Sequence, residues 1–324
     1  MIFYVFLDGI GMGKYDRKTN PFSKFAQGIF SALGGKPLED ANLPTLKGNL
    51  HILPTDAHLG VPGLPQSATG QTAIWTGING AKVLGRHVSG FPTITLRKII
   101  QQYSMLKVLA ENQISADFLN CFTSPYLKHV VEKPKLVSAS TLVQLASLRP
   151  LKNMEDLRNG QGLYMDLTHD ILRQVAKDFL PIDDPLLSPR NPRELGSSIF
   201  KMFENYEVTI YEYFLTDKVG HAMDWDKAKL IIDNLEEFFY GILSTMDTEK
   251  DTLIVTSDHG NMEDLSQKNH TENAVPTILY GKHADKYAEK IHSLSDIVPQ
   301  IYNTFGLEEA LKNIKSNEFL SSEV

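Results

Sequence analysis

Six aspartate and histidine residues stand at short spacings that suit a metal site. Two lie four residues apart in TDKVGH, two are adjacent in SDHGN, one follows in NHTEN, and one ends the apolar run IFYVFLD. The set is Asp8, Asp217, His221, Asp258, His259 and His270. Carboxylates and imidazoles without thiolates favour Mn²⁺, Zn²⁺ or Mg²⁺ over copper or an iron–sulfur cluster. Three aspartates and three histidines can hold two divalent cations, so the pattern predicts a two-metal site.

Each of these residues also has an ordinary structural interpretation when it is taken alone. An aspartate after a strand is often a turn residue or a helix cap. An Asp–His pair four residues apart shares a helix face and is commonly a surface contact. A single loop histidine such as His270 is more often simply exposed. The metal site is favoured because several such residues recur after successive predicted strands.

Short apolar runs rich in β-branched and aromatic residues predict the strands that must position these side chains. The predicted strands are 2–8, 114–121, 207–215, 251–258 and 275–281. Amphipathic stretches predict helices at 96–113, 140–148, 166–179, 191–206 and 224–246. Alternating strands and helices indicate an α/β fold with a mostly parallel sheet, in which ligands gather at the carboxyl ends of the strands.

The length of the chain suits one large domain, or a core with a smaller inserted unit. Residues 88–205 contain one predicted strand and a Pro/Asp-rich piece, LPIDDPLLSPRNPR. We therefore expect a core made of residues 1–87 and 206–324, with a mainly helical inserted cap at 88–205, some of it packing as core.

A hydroxyl nucleophile is available in GVPGLPQSATGQTAIWTG, residues 60–77. Ser67 stands where a Pro/Gly loop meets a short apolar run, at the predicted start of a helix, where backbone N–H groups and the dipole favour an anion. A hydroxyl next to a divalent cation loses its proton more easily. The alternative is that Ser67, Thr69 or Thr72 only caps the helix.

The composition excludes several other classes of protein. The 324 residues carry a net charge of −7 without a cluster of Lys and Arg, which argues against nucleic acid or a membrane as a partner. Neither a membrane span nor a signal peptide is visible, so a cytoplasmic protein is expected. The single cysteine, Cys121, excludes an intrachain disulfide. A dinucleotide-binding fingerprint would need glycine where Lys14 stands.

The motifs DG, SATGQTA..TG, TDKVGH, SDHGN and NHTEN.VP, in this order, resemble the alkaline phosphatase superfamily. Within it, they are most similar to the branch of cofactor-independent phosphoglycerate mutases and phosphopentomutases. They cover residues 1–87 and 207–305, and the stretch between shows no match to a characterised member. The resemblance implies a three-layer αβα sandwich.

The resemblance also implies roles for the residues. One ion would be held by Asp217, His221 and His270, and the other by Asp8, Asp258, His259 and the oxygen of the nucleophile. Counting ten residues back from Gly77 of the Thr–Gly pair points to Ser67 as the nucleophile, with Thr69 as the second choice. The family chemistry is attack of this oxygen on phosphorus to form a phospho-enzyme, which water or a second substrate hydroxyl then resolves.

Several residues near the matched motifs could contact a phosphate group. They are Gln66, Gln71, Arg86, His87 and Lys218, together with Lys82. The cationic ones could equally be solvated surface charges. The mutase branch has asparagine where Gln66 stands, and this chain is too short to hold an intact phosphoglycerate mutase transferase domain.

The expected function is that of a phosphomonoesterase or phosphotransferase that uses two metal ions, Mn²⁺ or Zn²⁺ before Mg²⁺, on a small phosphorylated metabolite. The alternative enzyme is an intramolecular phosphomutase, of the phosphoglycerate or phosphopentose type. A sulfatase or phosphodiesterase is less favoured, because the usual sulfatase nucleophile is a modified cysteine. A non-catalytic relative that binds metal or ligand would be expected to have lost a ligand or the nucleophile. The sequence does not indicate an oligomeric state.

Overall fold

The computed structural model describes residues 1–310 and 312. Within them, six strands form one sheet. The strands are β1 (Ile2–Leu7), β2 (Leu50–Thr55), β3 (Ala116–Phe118), β4 (Val208–Tyr213), β5 (Thr252–Thr256) and β6 (Val275–Gly281). Their order across the sheet is β2-β6-β5-β1-β4-β3.

Strand direction decides which loops meet at each edge of the sheet. β1 pairs in parallel with β4 and β5, and β3 pairs in parallel with β4. β6 runs antiparallel to both of its neighbours, β5 and β2. Five strands therefore point the same way and β6 points the opposite way. Residues that precede β6 consequently lie at the edge where the other strands end.

Helices connect the strands along the described chain. The α-helices are α1 (Pro21–Phe25), α2 (Ser67–Thr76), α3 (Gly80–Leu84), α4 (Ile94–Tyr103), α5 (Met105–Glu111), α6 (Ser124–Glu132), α7 (Ala139–Ala146), α8 (Met154–Arg158), α9 (Asp170–Val175), α10 (Pro192–Met202), α11 (Leu215–Ala222), α12 (Trp225–Thr245), α13 (Ala284–Ala288) and α14 (Ile297–Thr304). Short 3₁₀ helices occur at Ile29–Gly34, Leu38–Asp40, Ala176–Asp178, Pro185–Leu187 and Leu294–Asp296. None of the described helices is long and apolar enough to cross a membrane.

Helices cover both faces of the sheet. Successive residues of a strand point to opposite faces, and in β1 Tyr4 and Phe6 each lie with their ring centroid 5.4 Å from that of Trp75 in α2. Phe3 points the other way, with its ring 6.5 Å from that of Phe238 in α12. All five side chains are buried. The predicted three-layer αβα sandwich is confirmed.

The structure differs from the predicted elements mainly at the edges of the sheet. Residues 114–121 form a strand only over Ala116–Phe118, which is the edge strand β3. The opposite edge strand, β2, is missing from the prediction, because LHILPT contains Pro54 and its side chains are mostly only half-buried. The predicted helix 96–113 breaks at Ser104, whose hydroxyl accepts a hydrogen bond from Lys107 N at 3.3 Å and starts α5.

Parts of residues 88–205 pack into the same core as the rest of the chain. β3 is hydrogen-bonded to β4, and Ile100 of α4 and Leu142 of α7 belong to the buried cluster that contains Trp75. On the other face, α10 packs along α12. A smaller buried cluster around Leu157 and Leu172 lies within the segment. The division of the chain into a core and a cap stays a prediction.

Candidate metal centre and active site

Five of the six predicted metal ligands lie directly beside the ends of central strands. Asp8 follows β1, Asp258 and His259 follow β5, and Asp217 lies in α11, just after β4. His270 precedes β6, and the antiparallel direction of β6 brings it to the same edge. The sixth, His221, lies one turn after Asp217 on α11.

A first group consists of Asp8, Asp258 and His259, which each offer a ligand atom within 4.8 Å of the others. Nε2 of His259 lies 3.5 Å from Oδ1 of Asp8 and 3.6 Å from Oδ2 of Asp258. His259 and Asp258 are fully buried. The grouping is the one that the family resemblance implies for one of the two ions.

A second group brings Asp217, His259 and His270 together under the same criterion of distance. Nε2 of His221 lies 3.3 Å from Oδ2 of Asp217, and the rings of His221 and His270 are 5.2 Å apart between centroids. His221 therefore lies beside this group, on the exposed side of Asp217. His259 lies between the two groups, within ligand distance of both.

Backbone carbonyls orient two of the imidazoles. Nδ1 of His221 lies 2.6 Å from the carbonyl oxygen of Lys268, and Nδ1 of His270 lies 3.0 Å from that of Pro65. When Nδ1 donates to a carbonyl, its proton is fixed there and the lone pair of Nε2 is left for a metal ion. In both rings Nε2 is the nitrogen that faces Asp217.

The carboxylates in this cluster are held in an environment that disfavours their negative charges. Burial, followed by the nearby charges of Asp258 and Asp217, raises the pKa of Asp8 well above its usual value. Burial raises the pKa of Asp258 to about 7, and the charge of Asp217 adds to this. Burial and then His270 lower the pKa of His259 to about 3, so the ring is neutral. Neutral imidazole and crowded carboxylates are what a divalent cation binds.

One atom in the cluster has no hydrogen-bond partner in the described part of the chain. Oδ1 of Asp8 is buried and unpaired, although a buried carboxylate oxygen normally accepts a hydrogen bond. A cation between Asp8, Asp258 and His259 would satisfy this oxygen. The residues present therefore fit a divalent metal ion.

Ser67 is the first residue of α2 and lies against the first group. Its Oγ is 3.0 Å from Nε2 of His259. Thr69, the second choice as nucleophile, is fully buried and its hydroxyl donates to the carbonyl oxygen of Gln66 at 3.1 Å. Gln66 adopts an extended backbone at the N-cap of α2, and the contact of Ser67 with His259 brings the N terminus of the helix beside the cluster.

Two glycines allow the backbone to approach the cluster closely. Gly9 has a φ of +67°, and a Cβ there would lie 2.6 Å from Oδ1 of Asp217. A Cβ on Gly70, in the first turn of α2, would lie 2.6 Å from the carbonyl oxygen of Asp258. Any larger residue at these positions would have to displace a predicted ligand.

The residues predicted to contact phosphate lie at different distances from the cluster. Gln71 is buried and its Nε2 donates to Oδ2 of Asp258 at 3.1 Å. Lys218 lines the same cavity as Ser67. Nε2 of His87 lies 3.2 Å from the carbonyl oxygen of Val61, and in the described structure neither His87 nor the exposed Arg86 lines that cavity. The same holds for Lys82 and Gln66.

Three polar residues that the sequence analysis did not single out support the cluster. Asn261 donates from Nδ2 to Oδ1 of Asp217 at 2.6 Å. Glu263 is buried, and its Oε2 accepts from the backbone N–H groups of Gly11 and Asn261, both at 2.8 Å. Burial raises the pKa of Glu212, the penultimate residue of β4, to about 7. The available signal for Glu212 was a charged residue inside an apolar strand, EVTIYEYFL.

A cavity of about 520 Å³ opens beside Ser67. Asp8, Ser67 and Gln71 line its end at the cluster, and Glu212 and Lys218 also border it. Its other walls are largely apolar and aromatic, and come from residues 90–91, 120–141 and 164–165. The cavity therefore joins the cluster to residues of the segment 88–205.

The fold and this cluster are those of a metal-dependent enzyme. Residues 187–309 match the model of the Metalloenzyme superfamily. The predicted resemblance to the alkaline phosphatase superfamily, and the prediction of a metal-dependent enzyme, are confirmed by this match together with the relatives described next.

Relatives of this chain include 2,3-bisphosphoglycerate-independent phosphoglycerate mutases. The chain is 27% identical over 147 residues to that of Desulforudis audaxviator, covering 42% of this chain and 29% of the relative. It is 32% identical over 126 residues to that of Clostridium kluyveri, covering 36% of this chain and 25% of the relative. The matched region thus spans less than a third of the length of these relatives.

A solved structure shares the fold over most of both chains. The PH0037 protein of Pyrococcus horikoshii superposes with a TM-score of 0.50 at 15% sequence identity, covering 94% of this chain and 96% of that chain. At this identity the likeness concerns the fold alone.

Proposed function

We propose that this chain is a two-metal phosphomonoesterase or phosphotransferase that acts on a small phosphorylated metabolite through Ser67. The observation that carries the proposal is the position of the Ser67 Oγ atom. It lies at the N terminus of α2, 3.0 Å from His259, which is shared by the two groups of candidate ligands. A hydroxyl in that place contacts the imidazole that belongs to both groups and lines the open cavity.

The first ion would be held by Asp8, Asp258 and His259, with Ser67 beside it, and the second by Asp217 and His270 with His221 or His259. Mn²⁺ or Zn²⁺ suits these oxygen and nitrogen ligands best, and Mg²⁺ is the third choice. When bound, divalent ions would polarise the phosphoryl group and make the neighbouring hydroxyl more acidic.

The protein's own groups position the reactants. The N terminus of α2 attracts the phosphoryl oxygens, and Lys218 adds a positive charge at the cavity wall. Ser67 Oγ gives up its proton to solvent and forms a bond to phosphorus while the bond from phosphorus to the leaving oxygen breaks, and the leaving oxygen takes a proton from solvent. Water then attacks the phosphoserine, which releases phosphate and restores the hydroxyl of Ser67.

An intramolecular phosphomutase is the second candidate, because the relatives described above are mutases. In that reaction a second hydroxyl of the same substrate takes the phosphoryl group from Ser67. The products distinguish the two reactions. Hydrolysis yields free phosphate, whereas the mutase reaction yields an isomer of the substrate and no free phosphate. A cytoplasmic location belongs to the proposal as well and rests on the sequence.

The test is turnover of p-nitrophenyl phosphate with Mn²⁺, Zn²⁺ or Mg²⁺ added to the purified chain. Ser67→Ala is expected to lower the rate by at least a hundredfold while it keeps the bound metal. Ser244→Ala, an exposed serine in α12, is the matched control and should behave as wild type. Full activity in Ser67→Ala, or loss of activity only in Thr69→Ala, would refute the assignment of the nucleophile.

A further inference from the structure

We propose that the cavity beside Ser67 is a subsite for an aromatic ring, so that the preferred substrates are phosphomonoesters of alcohols that carry such a ring. Phosphoglycerate and other substrates with a second anionic group are disfavoured. The inference rests on the proposed function, because the ring would belong to the leaving group of the phosphoryl transfer.

One wall of the cavity carries a row of rings from Phe122, Tyr126 and His129. Phe122 and Tyr126 are half-buried and stack on each other, with ring centroids 4.8 Å apart and planes 18° apart. The hydroxyl of Tyr126 is paired with that of Thr141 at 2.9 Å, which holds the Tyr126 ring in place. Aromatic rings favour stacked or edge contacts with other rings over contacts with charged groups in water. This wall therefore suits a planar apolar group.

An exposed ring lies at the mouth of the same cavity. Phe91 lines the cavity and is 48% exposed. A large aromatic side chain left in solvent beside a concave site gains free energy when a ligand covers it. Phe91 and the Phe122–Tyr126 pair thus offer apolar surface at two places in one cavity.

The charges that line the cavity do not suit a substrate with a second anionic group. Among the described lining residues, Lys218 is the one with a permanent positive charge, and its Nζ lies 4.7 Å from the centre of the Phe214 ring. His129 directs Nε2 to the carbonyl oxygen of Leu136 at 3.0 Å. Glu212 also lines the cavity and is buried. A substrate carboxylate in this cavity would find one lysine and no arginine among the described lining residues, with Glu212 also in the wall.

Binding of three phosphonates to the Mn²⁺-loaded chain tests the subsite without turnover. Benzylphosphonate carries the ring, 3-phosphonopropionate carries a second anionic group, and methylphosphonate carries neither. By titration calorimetry, benzylphosphonate should bind at least tenfold more tightly than either of the others. Equal or tighter binding of 3-phosphonopropionate would overturn the inference.

Variants of the wall connect the preference to the proposed subsite. Phe122→Ala should reduce the preference for benzylphosphonate over methylphosphonate to threefold or less, and Phe122→Leu should fall between Phe122→Ala and wild type. If Phe122→Ala does not fold, Phe91→Ala at the exposed rim is used and should reduce the preference at least threefold. Tyr15→Ala removes a 59% exposed ring outside the cavity lining and should leave the preference unchanged. An unchanged preference in the wall variants would overturn the inference.

Combining binding with turnover separates this inference from the proposed function. Turnover that depends on Ser67, without a preference for the benzyl ligand, refutes the subsite alone. A clear benzyl preference without turnover of any phosphomonoester refutes the phosphomonoesterase and leaves the subsite supported. Failure of all three phosphonates to bind, together with no turnover of any phosphomonoester, refutes both.

Discussion

The rings of His259 and His270 lie stacked face to face, with centroids 3.6 Å apart and planes 11° apart. Two protonated imidazoles would repel each other strongly at this distance, and burial lowers the pKa of His259 to about 3, so that ring is neutral. His270 directs Nδ1 to the carbonyl oxygen of Pro65, and both rings belong to the group formed with Asp217. In the proposed function, the stack supplies two of the nitrogen ligands.

We expect the carboxylate of Asp8 to destabilise the protein when no metal is bound. The same carboxylate should be required for the stabilisation that bound metal provides. Asp8→Asn removes one of the crowded negative charges, so without metal the variant should be at least as stable as wild type. Added Mn²⁺ at a hundred times its Kd should stabilise wild type by about 2.7 kcal/mol, and the variant by much less. Thermal unfolding with and without Mn²⁺ measures both effects.

Asp40→Asn, at an exposed acidic residue, is the matched control for this charge removal and should respond to Mn²⁺ as wild type does. If Asp8→Asn were stabilised by Mn²⁺ as much as wild type is, Asp8 would not be a ligand.

We expect Glu263 to support the metal site through hydrogen bonds without being a metal ligand itself. One carboxylate oxygen holds the N–H groups of Gly11 and Asn261, and the other accepts from Thr271 and Asn273. Glu263→Gln keeps the shape of the side chain but leaves a single acceptor oxygen. Loss of such a supporting contact typically lowers metal affinity by about 10- to 100-fold. Competition with a metal chelator measures it.

Glu289→Gln changes an exposed glutamate in the same way and should leave metal affinity as it is in wild type. Equal affinities in all three proteins would show that Glu263 has no part in positioning Asn261 and, through it, Asp217.

Gly70 is expected to tolerate no side chain. Alanine normally stabilises a helix relative to glycine, but a Cβ at this position would lie 2.6 Å from the carbonyl oxygen of Asp258. We expect Gly70→Ala to cost about 1–3 kcal/mol of unfolding free energy and to weaken metal binding, because Asp258 must shift. The comparison is Gly48→Ala, where the nearest atom would be 3.9 Å away. A stabilised Gly70→Ala protein would contradict the close packing of α2 on Asp258.

Because His169 is buried, we expect the folded protein to lose stability in mild acid. It is buried, its Nδ1 lies 2.7 Å from the carbonyl oxygen of Leu186, and burial lowers its pKa from 6.5 to about 4. Below pH 6.5 the unfolded chain binds a proton here and the folded protein does not. Stability is therefore complete above pH 6.5 and is lost as the pH falls towards 4, by about 3 kcal/mol at most.

His169→Asn isolates this contribution, because asparagine tolerates the φ of 64° at this position. Between pH 7 and 4, denaturant unfolding of this variant should show a shallower fall in stability than wild type. His292→Asn, at an exposed histidine, should follow wild type. Identical pH profiles for all three proteins would contradict a buried neutral His169.

The parts of the site that could be predicted from the sequence are those that follow a strand directly. Asp8 and Asp258 could be predicted once β1 and β5 were recognised as buried strands. Asp217 and His221 could be predicted from their helical spacing alone. The position of His270 depends on β6 running antiparallel, which is a property of strand pairing and is not visible in the run VPTILYG.

Other features could not be predicted, because they depend on contacts between distant segments. His259 faces both groups of ligands since the loop after β5 lies between those after β1 and before β6. β3 joins the sheet by pairing with β4, about 90 residues later in the chain. Local patterns in residues 88–205 do not reveal that pairing. The contribution of these residues to the core was therefore predicted only in part.

The most direct test of the account is to stop the reaction in acid during turnover of p-nitrophenyl phosphate and to map phosphorylation by peptide mass spectrometry. We expect a phosphoryl group on Ser67 in wild type with bound metal, and none on Ser67→Ala or on metal-free protein. Turnover that proceeds without phosphoserine at position 67, or with the phosphoryl group on another residue such as Thr69, would contradict it.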